Sequence, residues 1–358
     1  MKQYGARIRL SPDEVEAVRS MRGEAQQNEI PNNLIVNQKL ADYLKDSRRS
    51  FEDVCNFLNK PPKDTREEID ALKRLAYNVE VDDFITVSTS VKQGAKHSFL
   101  DESMWRGDKI TFGFTADNHM CSNFERNDVL NLLYDIYEKE GISTVFNGGN
   151  WIDGEARFNK NEIHTKGMTK QIEYAVEHYP YKEGIETYFV SGDDHEGWFN
   201  QREGINIGEY FQMKREQSGK YDMIHLGYVE ADIEINQGGF ENDSWLRVVH
   251  AGGGSAYATS YAPQKIIESY QGGEKPSVLF IGHYHKMSYN VIRNVHVIQM
   301  GCTQDQSIFM RKKKIEAHVG GGLIHLWRDK NGIINRVVPE FITVFDKKFY
   351  IGDDKYWK

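Results

Sequence analysis

Five short stretches of the chain carry the residue types that bind divalent metals. They are Asp117-Asn118-His119, Gly149-Asn150-Trp151-Ile152-Asp153-Gly154, Gly192-Asp193-Asp194-His195-Glu196, His250 ahead of a triple glycine, and Gly282-His283-Tyr284-His285. The i, i+2 spacing of Asp117/His119 and of His283/His285 lets an extended segment aim two side chains the same way. Carboxylate and amide oxygens mixed with imidazoles suit manganese, iron or zinc better than calcium. A lone histidine in a core is usually a hydrogen-bonded structural residue, so any one stretch says little by itself. Five in series, each directly after an apolar run, point to a metal site. Metals held this way activate water and steady negative charge on a reacting oxygen.

Strands are needed to bring these side chains to one rim, and the apolar runs ahead of them read as buried strands. The runs are Lys109–Ala116, Ser143–Asn147, Ile185–Ser191, Leu246–Val249 and Val278–Ile281, with His296–Gln299 as a sixth. Asn127–Lys139 and Glu162–His178 read as helices between them, and this alternation is the signature of an α/β fold. In such sheets ligands gather at the carboxyl ends of the strands, which would unite all five stretches. Leu323–Trp327, the Lys330-Asn331-Gly332 turn and Ile333–Val338 read as a hairpin.

The first 95 residues read as mainly helical. Ser11-Pro12-Asp13-Glu14 is a helix start, and helical patterns follow around Asn37–Lys45, Ser50–Leu58 and Thr65–Tyr77. Ser50 and Thr65 are the expected caps, with Pro61-Pro62 as the break between the last two helices. The strand-like Val79–Val87 completes the outline of a winged-helix-like module, a type that commonly binds DNA. A helical cap that packs on the main domain or on a protein partner is the other reading. The chain therefore divides into a module at 1–95, a linker at 96–108 and a main domain at 109–358 with its C-terminal hairpin.

With 358 residues the chain is long enough for a sizeable core, and 27% charged residues with 12% aromatics describe an ordinary globular protein. No run is long and apolar enough to span a bilayer, and the first residues lack the hydrophobic stretch of a signal peptide, so no membrane partner is expected. The three cysteines, Cys55, Cys121 and Cys302, form no CxxC pair, which fits a cytoplasmic setting. A net charge of −8 weighs against bulk electrostatic grip on nucleic acid, although bound cations would reverse the sign locally.

In order and wording the five stretches resemble the calcineurin-like metallophosphoesterases, whose pattern runs DxH, GDxxD, GNH(D/E), H, GHxH. The resemblance spans roughly Ile110 to Val338. It implies a four-layer β-sandwich flanked by helices, and two divalent ions, manganese foremost with iron or zinc as alternatives. Asp117, His119 and His285 would hold one ion and Asp194, His250 and His283 the other, with Asn150 at the bridging position. His195 falls where the family places the histidine that assists the leaving group, and Asp153 where an acid orients it. Two positions depart from the pattern: Asn150 stands where the family has aspartate, and Asp194 where it has asparagine. The swap keeps the number of carboxylates constant, so the site can still neutralise two divalent ions. An extra residue in the third stretch makes Asp193 a competitor for the ligand role.

Gly148–Glu155 and Val297–Phe309 are similar to the small proofreading subunit of archaeal family-D DNA polymerases, with SbcCD-type nucleases as more distant relatives. That likeness implies a DNA exonuclease; Gln304, Gln306 and the Arg311–Lys314 run could contact sugar and phosphate near the site, with a solvated strand end as the other reading of the basic run. Gly253 in the triple glycine would let backbone amides approach a phosphate, although the glycines read slightly better as giving room beside the metals. The polymerase subunit carries an oligonucleotide-binding barrel before its catalytic domain, whereas here the leading segment reads as helical. Trp198, Tyr257 and Tyr261 could stack on a base, but each reads first as core. A small-molecule phosphatase or cyclic-nucleotide phosphodiesterase, and a non-catalytic scaffold, are the competing readings.

Overall fold

The computed structural model describes residues 32–88, 97–100, 102–236, 244–254, 256–271 and 273–344; the helix start at Ser11 lies outside them. The leading elements are helices α1 (Asn32–Leu44), α2 (Phe51–Leu58) and α3 (Pro62–Arg74), then the antiparallel pair β1 (Val79–Val81) and β2 (Ile85–Val87). Ser50 caps α2 in a reciprocal capping box with Asp53. Thr65 does not cap α3. The helix starts a turn earlier because Pro62 fits its first position, and Thr65 is buried inside it. Lys45 and Arg49, on the connection between α1 and α2, pair singly with Val87 and Ile85. Leu40, Leu44, Val54, Ile69, Leu72 and Val87 form a small core here, which Ile205 of the main body joins.

The main body holds two six-stranded sheets. The first comprises β4 (Lys109–Thr115), β5 (Thr144–Asn147), β6 (Glu186–Ser191) and β7 (Met223–Tyr228), all parallel, extended beyond β4 by the antiparallel β13 (Gly320–Arg328) and β14 (Ile334–Thr343). The second has the order β11 (Met287–Ile292), β12 (Val295–Met300), β10 (Val278–Gly282), β9 (Trp245–His250), β8 (Glu230–Glu234), β3 (His97–Phe99), of which β12, β10 and β9 run parallel. Phe112, Phe114 and Phe146 of the first sheet pack against Leu246, Val248, Phe280 and Ile298 of the second. Helices α4 (Asn127–Lys139), α5 (Met168–His178), α6 (Gly197–Glu203) and α7 (Ile207–Gln217) lie on the side of the first sheet, and α8 (Tyr261–Ser269) on that of the second. A short α9 (Ile308–Lys313) follows β12. The result is a four-layer α/β sandwich.

The strands expected in the main body and the helix Asn127–Lys139 are present within a residue or two, apart from the tail hairpin, whose strands run several residues longer, while the single strand expected over Val79–Val87 is the hairpin of β1 and β2. The helix expected over Glu162–His178 begins only at Met168. Ahead of it Ile163 pairs with Ser122, and Gln171 Nε2 donates to the carbonyls of Gly154 and Thr165, so this stretch is tied into the loops instead. Part of the expected linker is a strand: β3 pairs in parallel with β8.

Candidate metal centre

The carboxyl ends of β4, β5 and β6 face those of β9 and β10, and all five motif stretches meet there. Asp117, His119, Asn150, His195, His283 and His285 each adopt a left-handed backbone, with φ between 44 and 85°. For residues other than glycine this conformation is uncommon and strained, and it persists only where surrounding structure imposes it. It turns successive side chains inward off the strand ends. Gly192 leaves room for this. A Cβ there would stand 2.6 Å from Asn150 Oδ1 and 2.8 Å from His250 Cδ2. Gly154, at φ +63°, passes so close to the His195 carbonyl that no side chain fits.

Two separate clusters result, and Asp153 and His195 form a further group around the His119 of the first. In the first, Asp117 Oδ1 lies 3.8 Å from His119 Nε2 and 3.6 Å from His285 Nε2, and the two Nε2 atoms are 3.1 Å apart. In the second, Asp194 Oδ1 lies 3.2 Å from His250 Nε2 and Asp194 Oδ2 3.4 Å from His283 Nδ1. Asp193, by contrast, is exposed, with its carbonyl accepting from Gln201. The carboxamide Oδ1 of Asn150 is buried without a hydrogen-bond partner, as is Asp117 Oδ1.

The imidazole tautomers follow from the outer partners. His119 Nδ1–H donates to Asp153 Oδ1 (2.8 Å), His250 Nδ1–H to the Gly148 carbonyl (2.7 Å) and His283 Nε2–H to the Gly253 carbonyl (2.7 Å). Each acceptor can only accept, so the nitrogen aimed at the cluster is the one left with a lone pair. His119 thus turns a lone pair on His285 Nε2 and His283 one on Asp194, while His250 Nε2 meets Asp194 across the place of a proton or a cation. Only a proton or a cation relieves such a contact, and outer partners of this kind are what orient histidine ligands. The donor set fits divalent metal ions.

Electrostatics agree. Burial pushes the Asp117 carboxyl up, against the pull of His250, His119 and His283. Burial also lowers His119, and lowers His285 well below the usual imidazole range. In the second cluster burial would depress His250, but its bond to Asp194 prevails and lifts it to about 9. Asp194, despite burial, is held well below the carboxylate range by His250 and His283.

His195 stands beside the first cluster, its ring edge-on to His119 at 4.3 Å. Its Nδ1–H donates to the Asp153 carbonyl at 2.8 Å and lies 3.2 Å from Asp153 Oδ1. Burial would lower this imidazole, but Asp153 and Asp194 raise it to about 10. Asp153 therefore orients both His119 and His195, and Asn159 Nδ2 in turn donates to its carbonyl and its Oδ2. Glu196 sits behind the site with Oε1 accepting the backbone N–H groups of Asn150 and Gly192, each at 2.8 Å, and burial pushes its carboxyl up to about 7.

A cleft of about 430 Å³ opens over both clusters. Gly253 lines it, as does Gln304, although Gln304 Nε2 already donates to Ser122 Oγ. Arg311 is exposed on α9 and does not line the cleft, since the helix turns Lys313 towards it instead. Trp198, Tyr257 and Tyr261 are not core: they are 38, 104 and 52% exposed. Phe158 and Phe309, which the sequence reading passed over, line the cleft as well. Phe158 follows the second metal-binding stretch by four residues, and Phe309 closes the Val297–Phe309 stretch, but neither is singled out there as a cleft residue.

No family model matches the chain, and no curated protein does. Among solved structures it is similar to a novel archaeal phosphodiesterase, at 13% identity over 64% of this chain and 100% of that one, with a TM-score of 0.33. It is also similar to GAP50, the anchor in the inner membrane complex of Plasmodium, at 13% identity over 66% of this chain and 85% of that one, TM-score 0.39. A third is a single mutant of Vps29 from Entamoeba histolytica, at 12% identity over 66% of this chain and 100% of that one, TM-score 0.33.

Proposed function

We propose that this chain is a metal-dependent phosphodiesterase acting on DNA as an exonuclease, with manganese as the working ion. The observation that carries the reading is the confrontation of imidazole lone pairs and carboxylate oxygens in two adjacent clusters. One divalent ion would be held by Asp117, His119 and His285, a second by Asp194, His250 and His283, with the Asn150 carboxamide oxygen between them. When bound, such ions make water acidic enough to supply hydroxide near neutral pH and offset charge on phosphate oxygens. The chain's own residues do the rest. His195, fixed through Nδ1 by Asp153, presents Nε2 as the proton donor. Water gives up one proton to solvent as its oxygen adds to phosphorus, the bond from phosphorus to the leaving oxygen breaks, and the His195 proton ends on that oxygen.

DNA as the substrate is supported by the cationic residues of α9 beside the cleft, Arg311 to Lys314, with Lys313 lining it. The cleft volume also suits a nucleotide-sized ester, which keeps a small-molecule phosphodiesterase as the second reading. For the leading module, the order of three helices and a hairpin supports the winged-helix-like reading. Its helix α3 exposes Lys63, Arg66, Lys73 and Arg74 interleaved with Asp64, Glu67 and Asp70, a mixture that suits a protein partner better than a phosphate backbone.

The test pairs end-labelled single- and double-stranded DNA with bis-p-nitrophenyl phosphate, in manganese and in EDTA, beside a His195→Ala protein. Manganese-dependent shortening of DNA that the variant lacks supports the exonuclease. Hydrolysis of the small ester alone moves the assignment to the second reading, and no turnover of either removes both.

A further inference from the structure

Three aromatic side chains from separate parts of the chain meet beside His195. Phe158 packs edge-on to the His195 ring at 5.6 Å, on the opposite end of a row that continues through His195 to His119. Phe309 on α9 lies 4.9 Å from Phe158 at a 33° tilt, and Trp198, one turn beyond His195, lies 6.4 Å away. Phe158 is 42% and Trp198 38% exposed, so this apolar surface is open to solvent next to a polar site. Exposed aromatic surface grouped in this way marks a binding site. The group is firmly built. Asn159, next to Phe158, is buried and bonded to Asp153 and to the Ala156 backbone, and Ser307 caps the helix that carries Phe309. Lys313 Nζ stands 6.0 Å from the Phe309 ring centroid and lines the same cleft.

We propose that Phe158, Phe309 and Trp198 form a stacking subsite for the base of the departing nucleoside, so that the substrate class is a phosphodiester with a nucleoside on its leaving side. This rests on the phosphodiesterase reading above. His195 lies between the first ligand cluster and the aromatic group, so an oxygen it protonates has the rest of its leaving group directed at Phe158. A nucleobase offers a π-face of matching size whatever its sequence, and Lys313 is placed for the phosphate that follows.

The experiment uses the full chain and three dinucleoside monophosphates: thymidylyl-thymidine and its two analogues lacking one base or the other. In manganese, the analogue without the base on the departing side is expected to lose about tenfold or more in kcat/KM, while the other loses little. Phe158→Ala and Phe309→Ala bring the ratio close to one, and Phe158→Tyr restores it. In EDTA, fluorescence anisotropy is expected to show a labelled thymidine tetranucleotide binding about tenfold more tightly than its fully abasic counterpart, with the preference lost in Phe158→Ala. Equal handling of base-bearing and abasic ligands by the unmodified protein overturns the subsite. Manganese-dependent hydrolysis of methyl p-nitrophenyl phosphate reports separately on the phosphodiesterase reading: if it is absent, that reading falls, and the EDTA binding still decides the subsite.

Discussion

At the scale of single residues the site is a set of nitrogen lone pairs held in place by outer partners, and its protons are the first thing to test. His195→Ala removes the proposed proton donor but no residue of either proposed ligand cluster. It should lower kcat by about 10²- to 10⁴-fold while manganese binding measured by calorimetry stays within a few-fold. With the ions absent, His250 holds its proton up to about pH 9 because Asp194 faces it. An arriving ion must displace that proton, so manganese affinity should climb by up to about tenfold per pH unit between pH 7 and 9 and level off above. Glu196 behaves oppositely. Its carboxyl is raised from about 4.5 when unfolded to about 7 when folded, so between those values the folded chain holds the extra proton. Stability should therefore fall as pH rises through that window, and Glu196→Gln should flatten the decline in urea midpoints measured at pH 5 and pH 7.5.

At the scale of elements, the strand-to-loop junctions set the site. Gly192 has an ordinary backbone, so Gly192→Ala leaves the chain able to fold and only drives a methyl group at Asn150 and His250. A ten- to hundredfold loss of metal affinity with an unchanged circular dichroism spectrum is the expected result. These junctions were readable in the sequence because each motif is local: an apolar run, a turn, then ligands. Other elements were not readable for the same local reason. Strand β8 reads Glu-Ala-Asp-Ile-Glu, too acidic to suggest a sheet interior, until Asp232 is seen paired with Arg247 of β9 at 2.5 Å. Strand β11 lies at a sheet edge and is only half buried, so it carries polar residues and no apolar run. Trp198 read first as core, yet on α6 consecutive residues point apart, so Phe199 is buried and Trp198 faces the solvent. The grouping of Phe158, Trp198 and Phe309 is purely tertiary. Residues so far apart in the chain leave no periodicity to read.

At the scale of the whole molecule, the leading module is continuous with the main body through backbone as well as side chains. Asn78 N–H donates to the Gly204 carbonyl and Asn206 N–H to the Ala76 carbonyl, while Ile205 is inserted in the module's core. This junction directly follows α6, the helix that starts after His195 and Glu196. Ile205→Ala should cost about 2–5 kcal/mol in denaturant unfolding and increase amide exchange in β1 and β2. None of the described helices is long and apolar enough to cross a membrane. One last consequence lies in where the ligands come from. Asp117 and His119 follow a strand of the first sheet and His285 one of the second; Asp194 belongs to the first, His250 and His283 to the second. An ion in either cluster is thus a rivet through both plates of the sandwich, resisting the shear that would slide one sheet across the other. Filling the sites at a hundred times the dissociation constant adds about 2.7 kcal/mol for each ion, so the melting temperature should rise in manganese and fall back in EDTA.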